Sequence, residues 1–339
     1  MLKGLALTPP VIGRISIGRV VEKNGKRLPE KDDEFTVTSQ VQSKDGWVNH
    51  PVDETLRKTA GTSSGASAKL RQIPVRLLFD DPELNLRANY SLFDRQTGRP
   101  MCVGNGETCR RSLAAGVQTL ACPSPEACEL ARGGYCKPYG RLNVRIGEDD
   151  ELGSFVFRTT GFNSIRTLSA RLSYFHAVSG GHLSTLPLEL RLRGKSTTQS
   201  HRAPIYYVDL TIKTGMTMAE AIASSKTECE LRKTAGFDQV ALDEAARQGF
   251  AAGAFEESEE DGAAVVEEFY PDEFDTGADG ACGNTDGGGS AAKASANSPA
   301  NRPKPGLAEK LNQKAVLMNG HGAAVTTSQL SRPVQHGRV

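Results

Sequence analysis

The sequence has few aromatic residues and no long apolar stretch. Phe, Trp and Tyr make up 6% of its 339 residues, and Trp47 is the single tryptophan. No hydrophobic run reaches the length that a membrane-spanning helix needs. The opening residues are interrupted by Pro9 and Pro10 too early for a secretory signal peptide. We therefore expect no membrane contact, a cytoplasmic location and reduced cysteines.

Catalytic motifs are also missing from the sequence. The six histidines are scattered, and they form neither an HExxH pair nor part of a Ser/His/Asp set. Gly194, Lys195 and Ser196 resemble the end of a phosphate-binding loop, but Glu189 stands where that motif needs its first glycine. We interpret this stretch as a polar loop and expect a protein that is not an enzyme.

What the sequence does have is a concentration of thiols. Five of its seven cysteines fall within residues 102–136, among Gly and Pro turns. Tight loops can aim four sulfurs at one cation, so this segment favours tetrahedral zinc, which would also supply folding energy. An odd cluster fits disulfide pairing badly. Free structural thiols and redox thiols remain the alternatives, since CxxC pairs are absent.

The expected zinc ligands are Cys102, Cys122, Cys128 and Cys136. The last three share one Pro/Gly-rich loop. Cys102 is preferred as the fourth because Gly104 and Gly106 allow a tight turn whose N–H groups point at the sulfur. Cys109 is the alternate ligand, since the arginines that follow it favour a thiolate.

Charge is divided unevenly along the chain. Before residue 236 lie 33 of the 41 Lys and Arg residues and 24 of the 40 acids, a net charge of 33 − 24 = +9. Between Gln248 and Ala292 no Lys or Arg occurs. A basic domain favours a polyanion such as nucleic acid. The candidate phosphate contacts are Arg158, Arg166 and Lys195; plain helix capping and a solvated loop are the alternatives.

Strand signals dominate the basic part. Alternating β-branched residues predict strands within 11–48, with a hairpin turn at Asn24-Gly25. Further alternating segments predict strands at 73–79, 88–94, 140–146, 153–159, 187–193 and 206–212. Residues 59–70 are rich in Gly, Ser and Ala and predict a flexible loop. Pro74 indicates that its strand lies at a sheet edge.

Two helices are indicated in the same part of the chain. Apolar residues at helical spacing predict the first, with Asn163 or Ser164 as its cap; they are Ile165, Leu168, Leu172 and Phe175. Thr217 and Glu220 form a capping box that opens a second helix toward residue 233. These elements predict a strand-rich α+β domain over residues 1–235, with a cysteine-rich zinc-binding insert at 100–140 and few helices.

The remainder of the chain has a different composition. Residues 236–252 are compatible with a short amphipathic helix. Residues 253–339 form an acidic tail that we expect to be mostly disordered. Within it, 253–300 has too few branched apolar side chains to offset its ordering entropy, so we also expect it to be dispensable for folding.

Several segments together resemble a known family. They are GRISIGR (13–19), LPEKDDEFTVTS (28–39), the cysteine segment ending in CKPYGRLNV (136–144), and GSFVFRTTGFNSIR (153–166). The sequence resembles the phage recombination directionality factor-like proteins over about residues 1–225. Relatives in integrative conjugative elements and plasmids often carry the name "hydrolase or metal-binding protein".

The resemblance implies a non-catalytic accessory protein of site-specific recombination in a mobile element. Such a factor binds a large serine integrase on its DNA sites and favours excision over integration. An integrase is then the expected partner, DNA is a further candidate, and structural zinc would hold a docking surface. Two interpretations stay open: a zinc-stabilised nucleic-acid-binding protein of element replication or repair, and a metal-dependent hydrolase. An all-cysteine site is normally closed, which counts against the hydrolase.

Overall fold

Twelve strands and six α-helices form within the part of the chain that the computed structural model describes, which is residues 10–23, 26–43, 46–61, 69–147, 153–196, 204–252 and 265–266. The strands are β1 Val11–Lys23, β2 Lys26–Ser43, β3 Gly46–Asn49, β4 Gln72–Val75, β5 Leu86–Phe93, β6 Pro100–Gly104, β7 Thr108–Leu113, β8 Gly116–Ala121, β9 Lys137–Val144, β10 Ser154–Thr159, β11 Leu188–Ser196 and β12 Pro204–Ile212. The helices are α1 Pro51–Gly61, α2 Pro82–Asn85, α3 Ser124–Ala127, α4 Phe162–Ser179, α5 Met218–Thr234 and α6 Gln239–Ala252.

Nine of these strands form one mixed sheet in the order β3-β2-β1-β10-β9-β5-β6-β7-β8. β1 and β10 run parallel, and the other neighbours are antiparallel. Lys23 of β1 pairs with Lys26 of β2, which confirms the hairpin predicted around Asn24-Gly25, although those two residues lie outside the described ranges. β9 and β10, which occupy segments predicted as strands from alternation, are antiparallel neighbours.

The remaining strands form a small antiparallel sheet in the order β12-β11-β4. Pro74 lies in its edge strand β4, as predicted from its missing N–H. One apolar core joins this sheet to α4 and to the β1–β2–β9–β10 half of the large sheet. The predicted apolar stripe of α4 is confirmed, because its four residues are all buried in that core: Ile165, Leu168, Leu172 and Phe175.

Helix caps follow the predictions in one case and depart from them in the other. α5 has the predicted capping box between Thr217 and Glu220. α4 begins one residue before the expected caps, with Gly161 as its N-cap and no side-chain cap bond. The Ser164 hydroxyl instead accepts the N–H of Val208 at 3.1 Å, so it joins the helix to β12.

Three segments differ from their predicted form. The loop expected at 59–70 begins inside α1, while 62–68 lie outside the described residues. Asp53 anchors α1, since its carboxylate accepts the N–H of Val37 at 2.9 Å and Nε of Arg57 at 2.7 Å. Lys195 lies near the end of β11 and not in a polar loop. The cysteine segment, expected to consist of turns, contains β6, β7 and β8.

The C-terminal helix α6 packs onto the α+β domain. Ala246 is buried with Phe79 and Leu84. The buried Asp243 carboxylate accepts the N–H groups of Asp80 and Asp81 at 3.0 and 3.1 Å. Of the predicted disordered tail, 253–264 and 267–339 lie outside the described residues. None of the described helices has the length and apolarity to cross a membrane.

Candidate functional site: a cysteine cluster and an arginine face

The strand register places three cysteines on one face of the large sheet. Cys102 lies opposite Arg111, and Cys109 lies opposite Gly104. Because alternate residues of a strand point to the same side, Cys102 and Cys109 share a face. Cys122 follows β8 directly, and its Sγ would lie 3.0 Å from a Cβ added at Gly104. The absence of a side chain at Gly104 therefore lets the Cys122 sulfur approach β6.

The other two cysteines come from the segment that joins β8 to β9. Cys128 caps the end of α3, and Cys136 directly precedes β9. Burial, followed by the charges of the four other thiols of the segment, raises the pKa of the Cys136 thiol to about 12. All five side chains therefore belong to one group, which we call the cysteine cluster: Cys102, Cys109, Cys122, Cys128 and Cys136.

Cys109 is the most enclosed member of the cluster, with 3% of its surface exposed. Burial, followed by a hydrogen bond with Cys102, raises the pKa of the Cys109 thiol to about 11. A hydrogen bond with Cys102 also raises the pKa of the neighbouring Arg111 guanidinium. The Cys109 side chain points into the cluster.

No disulfide joins these cysteines, and Cys229 of α5 is free as well. Among the described residues no group of three or more His, Cys, Asp or Glu side chains is arranged to hold a metal ion. The zinc ligands expected from the sequence stay a prediction, as does the choice between Cys102 and Cys109.

The opposite face of the same sheet carries a row of arginines. Arg141 of β9 is paired with Arg87 of β5 on one side and with Arg158 of β10 on the other. Arg14 of β1 lies opposite Val156, two residues before Arg158, and so points to the same side. Like charges directly opposite one another disfavour a sheet. We call these four arginines the arginine face.

The two arginines that the sequence associated with the start of α4 do not meet there. Ile165 of α4 packs on Gly140, where an added Cβ would lie 2.9 Å from its side chain. Gly140 precedes Arg141 on β9, and neighbouring residues of a strand point to opposite faces. Arg158 therefore lies on the side of the sheet away from α4, whereas Arg166 is exposed on the helix itself.

The candidate phosphate contacts thus lie in three places. Arg158 belongs to the arginine face, Arg166 to the surface of α4, and Lys195 to the exposed end of β11. Sequence reasoning missed Arg87 and Arg141, which flank and complete the row around Arg158. Each of them alternates with apolar or small residues in its strand, and that signal is visible in the sequence. The pairing of β5 with β9, which aligns them, is not.

Comparison with known protein families gives a match. Residues 12–213 match the Gp3-like family, described as recombination directionality factor-like. The matched range is more than half of the chain and includes both the cysteine cluster and the arginine face. No curated protein matches the sequence. No solved structure matches it either.

Proposed function

This chain belongs to the Gp3-like family of recombination directionality factor-like proteins, and from that premise we propose that it is a non-catalytic accessory protein of site-specific recombination in a mobile element. Its partner is a site-specific integrase bound to DNA. The observation that carries the proposal is the family match, which extends over nearly all of the two sheets. The predicted absence of a catalytic constellation is consistent with this role.

The proposed mechanism is a difference in binding between two integrase–DNA states. A ligand shifts an equilibrium only by its differential affinity for the two states. Moving a synapse equilibrium from about 1:99 to about 99:1 requires a preference of about 10⁴-fold. An accessory protein that contacts one arrangement of the integrase and not the other meets this need without chemistry of its own.

The docking surface for the integrase is the cysteine extension, which we define as residues 100–136. β8 is an edge of the large sheet and therefore offers backbone groups for pairing. Several large apolar side chains of this extension are more than two fifths exposed: Met101, Leu113, Val117, Leu130 and Tyr135. Exposed apolar groups gathered on one extension are typical of a protein-binding surface.

A recombination assay tests the proposed function. The purified integrase of the same element is mixed with plasmids that carry either its integration sites or the recombined sites, with and without this protein. We expect the protein to raise the yield of excision and to lower the yield of integration. The proposal is wrong if neither yield changes and if no complex with the integrase forms on DNA.

Two matched variants test the docking surface. The double substitution of Leu113→Ser with Val117→Ser should abolish the effect on recombination, because both side chains lie on the β7–β8 hairpin. Ile205→Ser on β12 removes a side chain that is 44% exposed, compared with 43% and 49% for the pair, and should leave recombination unchanged. Equal loss in both variants would assign the docking surface elsewhere.

We further propose that the cysteine cluster binds one structural zinc ion through Cys102, Cys122, Cys128 and Cys136. The crowding of free thiols supports this, since three of them lie on one face of the sheet and Cys128 and Cys136 belong to the segment that follows β8. Thiolates are soft ligands suited to zinc, and four of them make a closed site. Zinc would then hold the extension in shape.

Metal content per chain tests the zinc proposal. Protein purified without added metal should carry about one zinc ion, and Cys102→Ser and Cys128→Ser should lose it. Cys229→Ser, at the half-buried free cysteine of α5, is the matched control and should retain it. Retention by Cys102→Ser together with loss by Cys109→Ser would make Cys109 the fourth ligand. Metal-free protein with an unchanged fold after chelation would refute the site.

The arginine face favours a second candidate function, that of a zinc-stabilised nucleic-acid-binding protein in element replication or repair. Arginine forks match phosphate oxygens, and a line of them fits a polyanion. This candidate predicts binding to DNA in the absence of any integrase. The recombination assay separates the two, since a replication or repair protein would leave both yields unchanged.

A further inference from the structure

The outer face of the small sheet carries positive charge. Leu190 and Leu192 of β11 point into the main core. Because side chains alternate along a strand, Arg193 and Lys195 lie on the other face of β11. Both lie within the residues that the family model matches. This outer face is distinct from the arginine face, whose residues belong to the large sheet.

A buried carboxylate holds two arginines at this outer face. Asp209 of β12 is 3% exposed, and its two oxygens accept Nε of Arg171 at 3.0 Å and Nε of Arg193 at 3.3 Å. Asp209 lies directly opposite Arg191 in the sheet, but Arg191 donates to the carboxylate of Glu189. One arginine would be enough to neutralise Asp209, so the second leaves a net positive charge at the surface.

The terminal nitrogens of the two guanidiniums can serve a further acceptor. Arg171 reaches Asp209 from α4, and its side chain is 48% exposed, compared with 42% for Arg193. Within the described parts of the chain, no second acceptor is bound to either guanidinium. A guanidinium has five N–H donors, and the contact with Asp209 uses the one on Nε. Two guanidiniums held by one carboxylate are preorganised for phosphate oxygens, which they bind through paired hydrogen bonds.

Lys195 extends the positive charge along β11. It follows Arg193 by two residues on the same face, so the two Cα atoms lie about 6.7 Å apart. Lys195 is exposed at the end of the strand and pairs with Ile205 of β12. The three cations therefore form a line on an open sheet face and not an enclosed pocket. Such a line matches a polymer of phosphates better than one small anion.

We propose that Arg171, Arg193 and Lys195 bind the phosphate backbone of duplex DNA. The choice of DNA rests on the recombination function proposed above, in which the integrase is bound to its DNA sites. Backbone phosphates are the same at every base pair, so this contact carries no sequence information and leaves site selection to the integrase. It adds affinity for DNA-bound integrase over integrase alone.

A binding titration with a labelled DNA duplex, without integrase and over a series of salt concentrations, tests the proposal on the full chain. Lys195→Gln, Arg171→Gln and Arg193→Gln should each weaken binding. Each should also lower the slope of log affinity against log salt by about one, because one phosphate contact is lost. The matched control is Lys226→Gln at an exposed lysine of α5, and its slope should equal that of the parent.

Lys195→Gln guards against misfolding in the arginine variants, since Lys195 lies outside the contact with Asp209. Absence of duplex binding by the parent at low salt would overturn the proposal, as would equal slopes in the parent and all three variants. So would a loss confined to Arg158→Gln, because the arginine face would then hold the duplex. Variants that lose binding to polyglutamate but keep binding to DNA would also overturn it, because the surface would then suit an acidic protein. Complex formation with the integrase in the absence of DNA is measured separately and tests the proposed function without this face.

Discussion

The two ends of the nine-stranded sheet are stabilised by different means. At the β1–β2–β9–β10 end, Phe35, Phe155 and Phe157 are at most 1% exposed and pack in the main core. At the β6–β7–β8 end the strands are mostly exposed, and Cys109 is the enclosed side chain of β7. At the β1–β2–β9–β10 end, the strands bury apolar side chains on one face, as half-buried strands do. At the β6–β7–β8 end, thiols occupy positions where apolar residues would otherwise stand.

This difference shows what the cysteine extension requires. A few exposed strands with little apolar burial are marginally stable in water. Bound metal contributes directly to the folding free energy of small metal-binding units. The same sheet can therefore have one half that folds by burial and another half whose order depends on its ligand.

Removal of metal should have the largest effect on stability, and that effect should be confined to the β6–β7–β8 end of the sheet. Under the zinc proposal, a chelator should expose the backbone amides of residues 100–136 to rapid hydrogen exchange, because metal binding provides about 10 kcal/mol or more in comparable units. Amides of β1, β9 and β10 should keep their protection. Uniform loss of protection along the sheet would show that the two ends fold as one unit.

A cavity in the core should have the next largest effect on stability. It should destabilise the β1–β2–β9–β10 end of the sheet and leave zinc binding at the other end unchanged. Phe157→Ala removes a ring that is 1% exposed and should lower the free energy of unfolding by about 3–5 kcal/mol. Urea denaturation measures this change. Zinc content should stay the same in the folded variant, because Phe157 belongs to the core cluster and not to the cysteine extension. Loss of zinc from the folded variant would show that the two ends of the sheet are coupled.

The core end was predictable from sequence because its signal is periodic. Alternation together with the Asn24-Gly25 turn indicated the β1–β2 hairpin, alternation indicated strands β9 and β10, and apolar spacing placed the buried face of α4. Strands β6–β8 lack that signal, since their exposed faces carry polar, small and apolar residues without alternation. The sequence indicated a turn at Gly104. In the structure Gly104 lies in β6, and its lack of a side chain leaves room for the Cys122 sulfur.

The functional surfaces also differ in how far they could be predicted from the sequence. The grouping of five cysteines was visible in the sequence as proximity along the chain. The arginine face was not, because Arg87 and Arg141 are far apart in sequence and become neighbours only through the pairing of β5 with β9. The packing of Val265 against Phe93 and Tyr139 was hidden by its acidic neighbours in the sequence, which gave the whole segment the composition of a disordered chain.

A buried carboxylate gives a smaller effect that depends on pH. Glu189 of β11 is 2% exposed and accepts the N–H of Thr214 at 2.8 Å. Burial alone would raise the pKa of Glu189, but hydrogen bonds from Thr214 and Arg191 outweigh it, so the pKa lies below its ordinary value of 4.5. A lowered pKa means that the charged form stabilises the fold above the unfolded-state pKa, and that this stability is lost as pH falls through the folded-state pKa.

Glu189→Gln should therefore lower the free energy of unfolding by about 2 kcal/mol at neutral pH, and the difference from the parent should shrink in acid below pH about 4. Denaturation at a series of pH values measures it. Glu54→Gln, at an exposed carboxylate of α1 paired with Lys58, is the control and should have no measurable effect. A difference that stayed constant with pH would mean that the carboxylate is not the charged partner of Arg191.

The smallest effect is expected at the tip of the extension, and it completes the contrast with the core. Val117 of β8 is 49% exposed, so Val117→Ala removes little buried area and should change the free energy of unfolding by less than about 0.5 kcal/mol. Zinc content should also be unchanged, since Val117 is not a thiol. Urea denaturation and metal analysis of the same sample measure both quantities. If Val117→Ala destabilised the protein as strongly as Phe157→Ala, the extension would contain a hydrophobic core of its own, and the proposed dependence on zinc would lose its physical reason.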